Sequence, residues 1–449
     1  MKKNLNRRSF LSQSALAGTG LLILPRHVLG GPGHVAPSDK INIAAVGSGG
    51  MGAGNLARVE HENIMALCDV DFDRAANTFK KYPKAKQYKD FRVMLEKEKD
   101  IDAVIVAAPD HIHAPAAMAA MRLGKHVYVQ KPLTHSVFEA RKLTEAAREY
   151  KVVSQMGNQG RSGEGTRRLA EWLWAGAIGD VTEVHSWTNR PVWPQGIDRP
   201  AGSPPVPAGL DWDLWLGPAP ERPYNPTYLP FNWRAWFDFG AGALGDMGCH
   251  VLDPVFYALK LKYPIWVQGS FSYEVPEMWK RWENRETYPN ASMITYRFPA
   301  RESMSPVTLT WYDGGILPAW PAELDGVDIP MDGGSLFIGT KGILLCETYG
   351  GNVRMFPEER FVEFKDLPQT LIRVDGSHEQ NWLDGIKGKL QPCSNFDYSG
   401  PLTEMVLMGN LAIRVPGKRL LWDGDNMEVT NYPEANQFIK REYRQGWEL

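Results

Sequence analysis

Short apolar runs alternate with helical stretches between residues 41 and 155. The runs are four to six residues long and lie at residues 41–46, 64–68, 104–108, 126–129 and 152–155. Apolar positions recur with helical spacing between them, at residues 51–60, 73–82, 115–123 and 138–150. Because parallel neighbours need a crossover connection, buried strands separated by helices predict a parallel, doubly wound sheet over residues 38–156.

The pattern changes after about residue 157. Residues 191–230 are rich in Pro and Trp with little periodicity, which predicts an ordered loop. Strand-like segments follow at residues 266–275, 292–298, 307–311, 334–338, 343–347 and 353–356, and helical spacing returns at residues 377–387 and 400–414. Successive strands flanked by helices predict an α+β second domain, residues 157–449, on an open, mostly antiparallel sheet, so that the fold class is α/β overall.

Composition and charge exclude several classes of protein. The 449 residues are enough for two or three domains, and 50 Lys and Arg against 52 Asp and Glu leave a net charge of −2. Without a basic surplus, no nucleic-acid partner is expected. The four Cys are widely spaced and form no Cys/His cluster, so neither a disulfide scaffold nor a metal site is predicted.

Residues 1–31 are typical of an export signal. Arg7 and Arg8 precede Ser9, Phe10 and Leu11, and a short apolar stretch runs to about residue 25. This arrangement resembles the twin-arginine signal and predicts a periplasmic protein that is exported after folding. The alternative is a basic tail on a cytoplasmic protein. No other stretch approaches 18 uninterrupted apolar residues, so no stable membrane anchor is predicted.

A glycine-rich loop follows the first predicted strand and opens the first predicted helix. It fits the pattern G-x-G-x-x-G and consists of Gly47, Ser48, Gly49, Gly50, Met51 and Gly52. In a Rossmann domain such glycines let a pyrophosphate approach the helix N-terminus. Asp69, at the end of the second strand, is placed to hold a ribose 2′-hydroxyl and would repel a 2′-phosphate. The pattern predicts NAD, with NADP disfavoured; the alternative is a glycine turn in another α/β protein.

Polar residues follow the third and fourth apolar runs, at the sheet edge where open α/β sheets bind ligands. Pro109, Asp110 and His113 come after the third run, and Gln130 and Lys131 after the fourth. The proline at position 132 holds Lys131 extended and outside any helix. Lys131 is therefore a candidate functional residue, although a single lysine taken alone is more often an exposed surface residue.

Asp246 and His250 lie four residues apart in a glycine-rich segment. On a helix their side chains project from one face, one turn apart. An acid beside a histidine fixes its tautomer and raises its basicity, which suits a general base. The alternative is a capped helix start, with Asp246 as the N-cap and His250 as a core residue.

Together these motifs resemble the Gfo/Idh/MocA family of nucleotide-dependent sugar oxidoreductases, from residue 41 to about residue 414. The family's Glu-Lys-Pro motif corresponds to Gln130, Lys131 and Pro132, with the acid replaced by an amide, and its Asp-x-x-x-His pair to Asp246 and His250. The resemblance implies that Lys131 orients the reacting hydroxyl and that His250 takes its proton as hydride leaves the same carbon. It implies that Asp246 orients or tunes His250, and that Asp110 and His113 lie near the nicotinamide ribose.

Tryptophan is absent before residue 172, and eight of the 16 Trp lie between residues 172 and 236. Because indole faces stack on the apolar faces of sugar rings, this stretch favours a carbohydrate pocket. The candidate substrate contacts are Trp193, Trp233 and Arg234, together with Asn158, Gln159 and Arg161, which are chosen by position only. The alternative is that most of these tryptophans are core or interface residues.

Three functions stay open. The first is an NAD-dependent oxidoreductase acting on a secondary hydroxyl of a sugar or glycoside, with tightly bound cofactor because a periplasm offers little free NAD. The second is a redox-neutral NAD-dependent glycoside hydrolase, which oxidises, eliminates, hydrates and reduces again. The third is a non-catalytic sugar-binding protein. The open sheet and abundant tryptophan favour a homo-oligomer, either a dimer or a tetramer.

Overall fold

The computed structural model describes residues 39–281 and 286–449. The predicted twin-arginine signal, residues 1–31, lies outside these described residues. Within the described ranges, no helix is long and apolar enough to cross a membrane.

A six-stranded parallel sheet forms the first half of the fold. Its strands are β1 (Asn42–Val46), β2 (Asn63–Cys68), β3 (Lys86–Tyr88), β4 (Ala103–Val106), β5 (His126–Val129) and β6 (Ser154–Met156). Their order is β3-β2-β1-β4-β5-β6, with parallel pairing throughout. The helices are α1 (Gly50–Arg58), α2 (Phe72–Lys81), α3 (Phe91–Lys97), α4 (Asp110–Arg122) and α5 (Val137–Glu149). The predicted doubly wound sheet is confirmed, and its order reverses between β1 and β4, where such sheets bind ligands.

A nine-stranded sheet forms the second half. Its strands are β7 (Val181–Thr188), β8 (Trp266–Phe271), β9 (Ser292–Phe298), β10 (Val307–Tyr312), β11 (Gly333–Gly339), β12 (Gly342–Glu347), β13 (Arg354–Phe356), β14 (Arg419–Asp423) and β15 (Glu428–Val429). Their order is β13-β12-β11-β7-β10-β9-β8-β14-β15. Among these described strands only the β7–β10 pair is parallel, which confirms the predicted, mostly antiparallel sheet.

Seven helices are described in this second half. They are α6 (Glu164–Trp174), α7 (Trp212–Leu216), α8 (Gly242–Val251), α9 (Asp253–Ala258), α10 (Glu358–Phe364), α11 (His378–Ile386) and α12 (Phe396–Arg414). Helix α12 packs against α5 of the first half and against α8 and β8 of the second. Because α12 is buried on nearly all sides, it joins the two halves in one core and carries no clear amphipathic stripe.

Three predicted boundaries are wrong by four or five residues, including the end of β8, which lies at Phe271 rather than residue 275. One central strand was not predicted. Strand β7 lies between β10 and β11, and its last three residues are all buried, so it lacks the alternation that marks a half-buried strand. Helix α4 begins at Asp110, with Pro115 inside it. The predicted start was residue 115, because proline favours the first turn of a helix. Helix α12 begins at Phe396 rather than residue 400, since Gly and Pro inside its early turns resemble a loop.

The Pro/Trp-rich segment, residues 191–230, is ordered, and it packs with residues 231–240 around an aromatic cluster. Trp212 and Trp215 are stacked with ring centroids 4.8 Å apart, and Trp215 meets the edge of Phe239 at 4.8 Å. Trp236, at the centre of this cluster, is fully buried. Most tryptophans of the segment therefore serve packing, which is the alternative that the sequence left open.

Candidate active site

The glycine loop between β1 and α1 has no room for side chains. Gly47 has a φ of +83°, and a Cβ on it would lie 2.6 Å from the carbonyl of Ala107. A Cβ on Gly52 would lie 1.9 Å from the carbonyl oxygen of Gly47. The N-cap of α1 is Gly49, without a side-chain cap, so its first N–H groups are available to an anion. This cradle fits the pyrophosphate of a dinucleotide.

Asp69 lies at the end of β2, directly beside this loop. Its carboxylate accepts hydrogen bonds from the backbone N–H groups of Ser48 at 2.8 Å and Gly49 at 3.1 Å, and from that of Asp71 at 3.0 Å. Burial raises the pKa of Asp69, and these three donors oppose the rise. Arg74 of α2 lies against the same loop, since its Nη2 is 3.0 Å from where a Cβ on Gly50 would be. The sequence analysis did not single out this cation.

A groove of about 1430 Å³, including its open mouth, runs along the carboxyl edge of the parallel sheet; we call it the strand-edge groove. The predicted cofactor residues on its wall are Gly47, Gly49, Gly50, Met51, Asp69, Pro109, Asp110, His113, Gln130 and Lys131. Ser48 and Gly52 lie behind the wall, fully or largely buried in the turn. The topology thus gathers residues from four different strand ends into one cavity.

Asp110 and His113 begin α4 and bind neighbouring loops. The Asp110 carboxylate accepts a hydrogen bond from the N–H of Ala241 at 3.1 Å, and burial raises its pKa to about 7. The two ring nitrogens of His113 each lie 2.8 Å from a carbonyl oxygen, those of Pro132 and Ala108. His113 therefore joins the loops that follow β4 and β5, and its ring nitrogens already face protein groups.

Gln130, which stands where the family motif has an acid, is 8% exposed. Its Nε2 donates to Oδ1 of Asn55 at 3.0 Å, and Nδ2 of Asn55 donates to Glu379 at 2.7 Å. A Cβ on Gly157 would be 2.8 Å from its amide group. The Gln130 side chain is thus held by α1 and α11, which fixes the backbone that carries Lys131.

Lys131 forms an ion pair with Asp246 next to the groove. Its Nζ donates to Oδ1 of Asp246 at 2.9 Å and to the carbonyl oxygen of the same residue at 2.7 Å. Nε of Arg234 donates to the same Oδ1 at 2.8 Å. Burial raises the pKa of Asp246, but the two cations outweigh it and hold that pKa well below its usual range. The cluster therefore carries two positive charges and one negative charge.

His250 lies one turn beyond Asp246 on α8 and is 4% exposed. Its ring meets the edge of Tyr349 with centroids 4.9 Å apart, and among the described residues its Nδ1 has no hydrogen-bond partner. Burial, together with the charge of Lys131, holds the pKa of His250 well below its usual range. The imidazole is accordingly neutral near pH 7 and able to accept a proton.

Among the described residues, Asp246 and His250 form no hydrogen bond with each other. The spacing does place both residues on one helical face, but the Asp246 carboxylate is bound by Lys131 and Arg234 instead. Charge-assisted bonds to two cations are stronger than a bond to a neutral imidazole. Asp246 thus orients Lys131. Its charge also raises the pKa of His250 against the larger effects of burial and Lys131, and its role in orienting or tuning His250 stays a prediction.

Two of the candidate substrate residues line the groove. Trp233 and Arg234 are on its wall, and the guanidinium of Arg234 lies between the rings of Phe231 at 4.0 Å and Trp233 at 4.2 Å. Trp193 is 5% exposed and donates through Nε1 to Gln195 within the aromatic cluster. It does not line the groove among the described residues, so its predicted role as a substrate contact lacks geometric support.

The three candidates after β6 lie away from the groove. Asn158 is buried and donates to Oδ1 of Asp253 at 3.0 Å, and Gln159 is exposed. Arg161 is buried with its guanidinium 3.5 Å from the ring centroid of Tyr257 and 4.7 Å from that of Tyr398. Asn158 and Arg161 belong to a buried polar cluster around Asp253. Proximity in sequence to β6 therefore did not bring them to the groove wall.

Asp253→Asn is expected to flatten the dependence of stability on pH. Burial raises the pKa of Asp253 to about 6, above its ordinary value, so the stability that the protonated form contributes is complete below about pH 4 and is lost as pH rises through 6. The amide keeps an oxygen for the bonds that Asn158 and Tyr398 donate. Between pH 4.5 and 7.5, denaturant unfolding should show the wild type losing about 2 kcal/mol more than the variant. The exposed Asp100→Asn is the control, and equal losses in wild type and Asp253→Asn would contradict the expectation.

Several residues of the groove wall were not among the candidates named from the sequence. They are Arg74, Phe91, Leu214, Trp215, Phe231 and Trp447. Phe91 follows β3, so its position at the carboxyl edge was open to inference from topology. The others come from segments with no strand-end motif and reach the groove only through tertiary folding.

Two family descriptions match the chain. Residues 41–158 match an oxidoreductase family with an NAD-binding Rossmann fold, and residues 180–285 match the C-terminal alpha/beta domain of an oxidoreductase family. An inositol 2-dehydrogenase from Salmonella paratyphi B is 31% identical over 146 residues, which is 31% of this chain and 43% of the relative. A glycosyl hydrolase family 109 protein from Shewanella pealeana is 31% identical over 169 residues, 32% of this chain and 37% of the relative. The chain thus spans less than half the length of these curated relatives.

A solved structure shares the whole fold. The WlbA dehydrogenase from Bordetella pertussis, in complex with NADH and UDP-GlcNAcA, aligns with a TM-score of 0.59 over 86% of this chain and 99% of that protein. The sequence identity is 14%, so this likeness concerns the fold alone.

Proposed function

The chain belongs to the Gfo/Idh/MocA family of oxidoreductases, and from that premise we propose that it oxidises a secondary hydroxyl of a sugar or glycoside with a retained NAD. The observation that carries this proposal is the position of Lys131. Its ammonium group lies on the wall of the groove that holds the glycine loop, and Asp246 fixes it there. A cation and a glycine-loop cradle in one groove are what hydride removal from an alcohol requires.

The proposed chemistry divides between two side chains. Lys131 donates a hydrogen bond to the substrate hydroxyl and stabilises the developing alkoxide. His250, which is neutral and lies one turn beyond Asp246 on α8, accepts the hydroxyl proton. When bound, NAD supplies the acceptor for the hydride. Asp246 is a positioning residue for Lys131, and Arg234 keeps Asp246 ionised.

The preference for NAD over NADP is also part of this proposal. The Asp69 carboxylate is placed for the ribose hydroxyls, and it would repel a 2′-phosphate. Arg74 beside the same loop is the feature that favours the opposite choice, because a guanidinium can pair with a phosphate. We expect the negative charge of Asp69 to outweigh Arg74 and to favour NAD over NADP, because three backbone N–H groups hold its carboxylate in place.

A sugar ring is the substrate that the outer groove favours. Trp233 offers an indole face and Arg234 a hydrogen-bonding group on the wall beside Lys131. Apolar faces and hydroxyl edges of a pyranose match such a pair. Relatives named for inositol and for glycosyl hydrolysis support a polyol or glycoside substrate.

Export and assembly complete the proposal. We expect residues 1–31 to direct the folded protein to the periplasm by the twin-arginine route, with its cofactor already bound. Little free NAD is present there, so the cofactor must be retained and regenerated on the protein. We further expect a homo-oligomer, in keeping with the broad second sheet.

The test is a panel of glycosides with the purified protein. We expect nicotinamide nucleotide to be released on denaturation, and a rise in bound NADH absorbance when the substrate is added. A 3-keto product with reduced cofactor supports the oxidoreductase. Hydrolysis of aryl glycosides without net NADH would instead support the redox-neutral hydrolase. Protein that binds sugar but neither contains nor binds nucleotide would overturn both enzymatic functions.

A further inference from the structure

The strand-edge groove has two ends that the topology distinguishes. Lys131 follows β5, whereas Asp69 follows β2, on the other side of β1 and β4. A dinucleotide with its pyrophosphate on the glycine loop and its adenosine ribose on Asp69 has its adenine beyond Asp69, away from Lys131. We call this part the adenine end; Val70, Arg74 and Phe91 line it.

The Pro/Trp-rich segment provides one wall of the adenine end. Trp215 of α7 lines the groove. Two backbone hydrogen bonds join the start of this wall to the turn after β2, from the N–H of Phe72 to Gly209 at 3.1 Å and from the N–H of Asp211 to Val70 at 2.8 Å. The wall is therefore attached to the same turn that carries Asp69, and it cannot move away without breaking these bonds.

Residues 444–447 provide a second wall. Trp447 lines the groove with its ring centroid 6.0 Å from that of Phe91. The guanidinium of Arg92 lies 4.3 Å from the Trp447 ring and pairs with Asp90 at 2.7 Å. The indole is thus held between a ring and a cation, both of which follow β3.

Arg444 ties the second wall to the first. Its Nε donates to the carbonyl oxygen of Gly217 at 3.0 Å, its N–H donates to that of Pro218 at 3.0 Å, and its Nη1 donates to Asp213 at 2.5 Å. Arg444 itself is not on the groove wall among the described residues. The two walls are therefore one connected structure, built outside the six-stranded sheet.

We propose that Trp447 is a cofactor-binding residue that, with α7, encloses the adenine of NAD and slows its release. The inference rests on the proposed function, because it needs a dinucleotide in the groove. A cofactor enclosed by two walls leaves only when one of them opens, and affinity is then set mainly by the dissociation rate. This closure is the physical means by which the protein keeps its cofactor.

The test measures NADH release from the full-length protein loaded with NADH, by loss of nucleotide fluorescence after an excess of NAD is added. Trp447→Ala is expected to raise the dissociation rate about tenfold to a hundredfold, the range for removing one aromatic contact with a base. AMP should lose affinity by a similar factor, and nicotinamide mononucleotide should not. Trp279→Ala, at a side chain that is 94% exposed, is the matched control and should leave all these values unchanged.

Arg444→Ala provides a second variant that leaves the indole intact. Loss of the Arg444 side-chain contacts between the two walls is expected to raise both the association and the dissociation rates of NADH, with a smaller change in affinity. If Trp447→Ala folds and keeps the wild-type dissociation rate and AMP affinity, the inference is overturned while the proposed function stands. If Trp447→Ala does not fold, wild-type rates in Arg444→Ala overturn it. A wild-type protein that binds no NADH overturns the proposed function and this inference together.

Discussion

Replacement of His250 by alanine is expected to lower kcat for sugar oxidation about 10²- to 10⁴-fold, the range for loss of a general base. The imidazole is neutral because burial and the charge of Lys131 hold its pKa well below the usual range. One ring nitrogen is therefore unprotonated near pH 7, which the proposed proton transfer requires. NAD affinity should stay the same, because His250 is not on the described wall of the strand-edge groove.

The measurement is single-turnover reduction of bound NAD at saturating substrate, with NAD affinity determined in parallel. His61→Ala is the matched control, since this histidine is exposed after α1 and far along the chain from Lys131. Asp246→Asn adds a second comparison, because it should weaken the hold on Lys131 and reduce kcat without removing the base. A His250→Ala protein with kcat within twofold of the wild type would show that another group takes the proton.

Replacement of Asp69 by alanine is expected to weaken NAD binding about a hundredfold. A carboxylate that accepts hydrogen bonds from two ribose hydroxyls makes charge-assisted bonds, each worth roughly 1.5–3 kcal/mol. The change also releases the N–H groups of Ser48 and Gly49, which the carboxylate now holds. NADP should lose much less, because its 2′-phosphate no longer meets a negative charge and Arg74 is close by.

Equilibrium titration of nucleotide-free protein with NADH and NADPH measures this effect. Asp100→Ala, an exposed acid before β4, is the control, and Asp69→Asn tests the charge while an acceptor oxygen remains. The expected order of NADH affinity is wild type, then Asp69→Asn, then Asp69→Ala. Unchanged affinity for both nucleotides in Asp69→Ala would mean that the ribose is held elsewhere.

The part of the site that sequence reasoning predicted is the part that follows strand ends. Lys131, Asp69 and the glycine loop come directly after buried strands, and parallel strands bring such residues to one edge. Asn158 and Arg161 also follow a strand, yet β6 lies at the far side of the sheet order, and their side chains pack around Asp253. A position directly after a strand therefore predicts that a residue lies at the carboxyl edge of the sheet. It does not predict how far the residue lies from the point between β1 and β4 where the strand order reverses.

The ion-pair partners of charged residues could not be predicted from local sequence patterns. The spacing of Asp246 and His250 indicated an acid–base pair. In the structure, the Asp246 carboxylate instead forms ion pairs with Lys131 and Arg234. Those partners are 115 and 12 residues away in the chain, and no helical periodicity encodes them. The choice depends on which cation the tertiary structure places nearest to the carboxylate.

The sequence by itself determined the two sheets, the glycine loop with Asp69 after the next strand, and the family. These features follow from patterns that repeat within a few residues, such as buried strand runs, glycines at a turn and a lysine before a proline. Only the tertiary structure decided that Asp246 serves Lys131, that most tryptophans fill a core, and that Trp447 meets residues after β3. The physical reason is that ion pairing and packing act through space, so they are set by where the folded chain passes rather than by its neighbours in sequence.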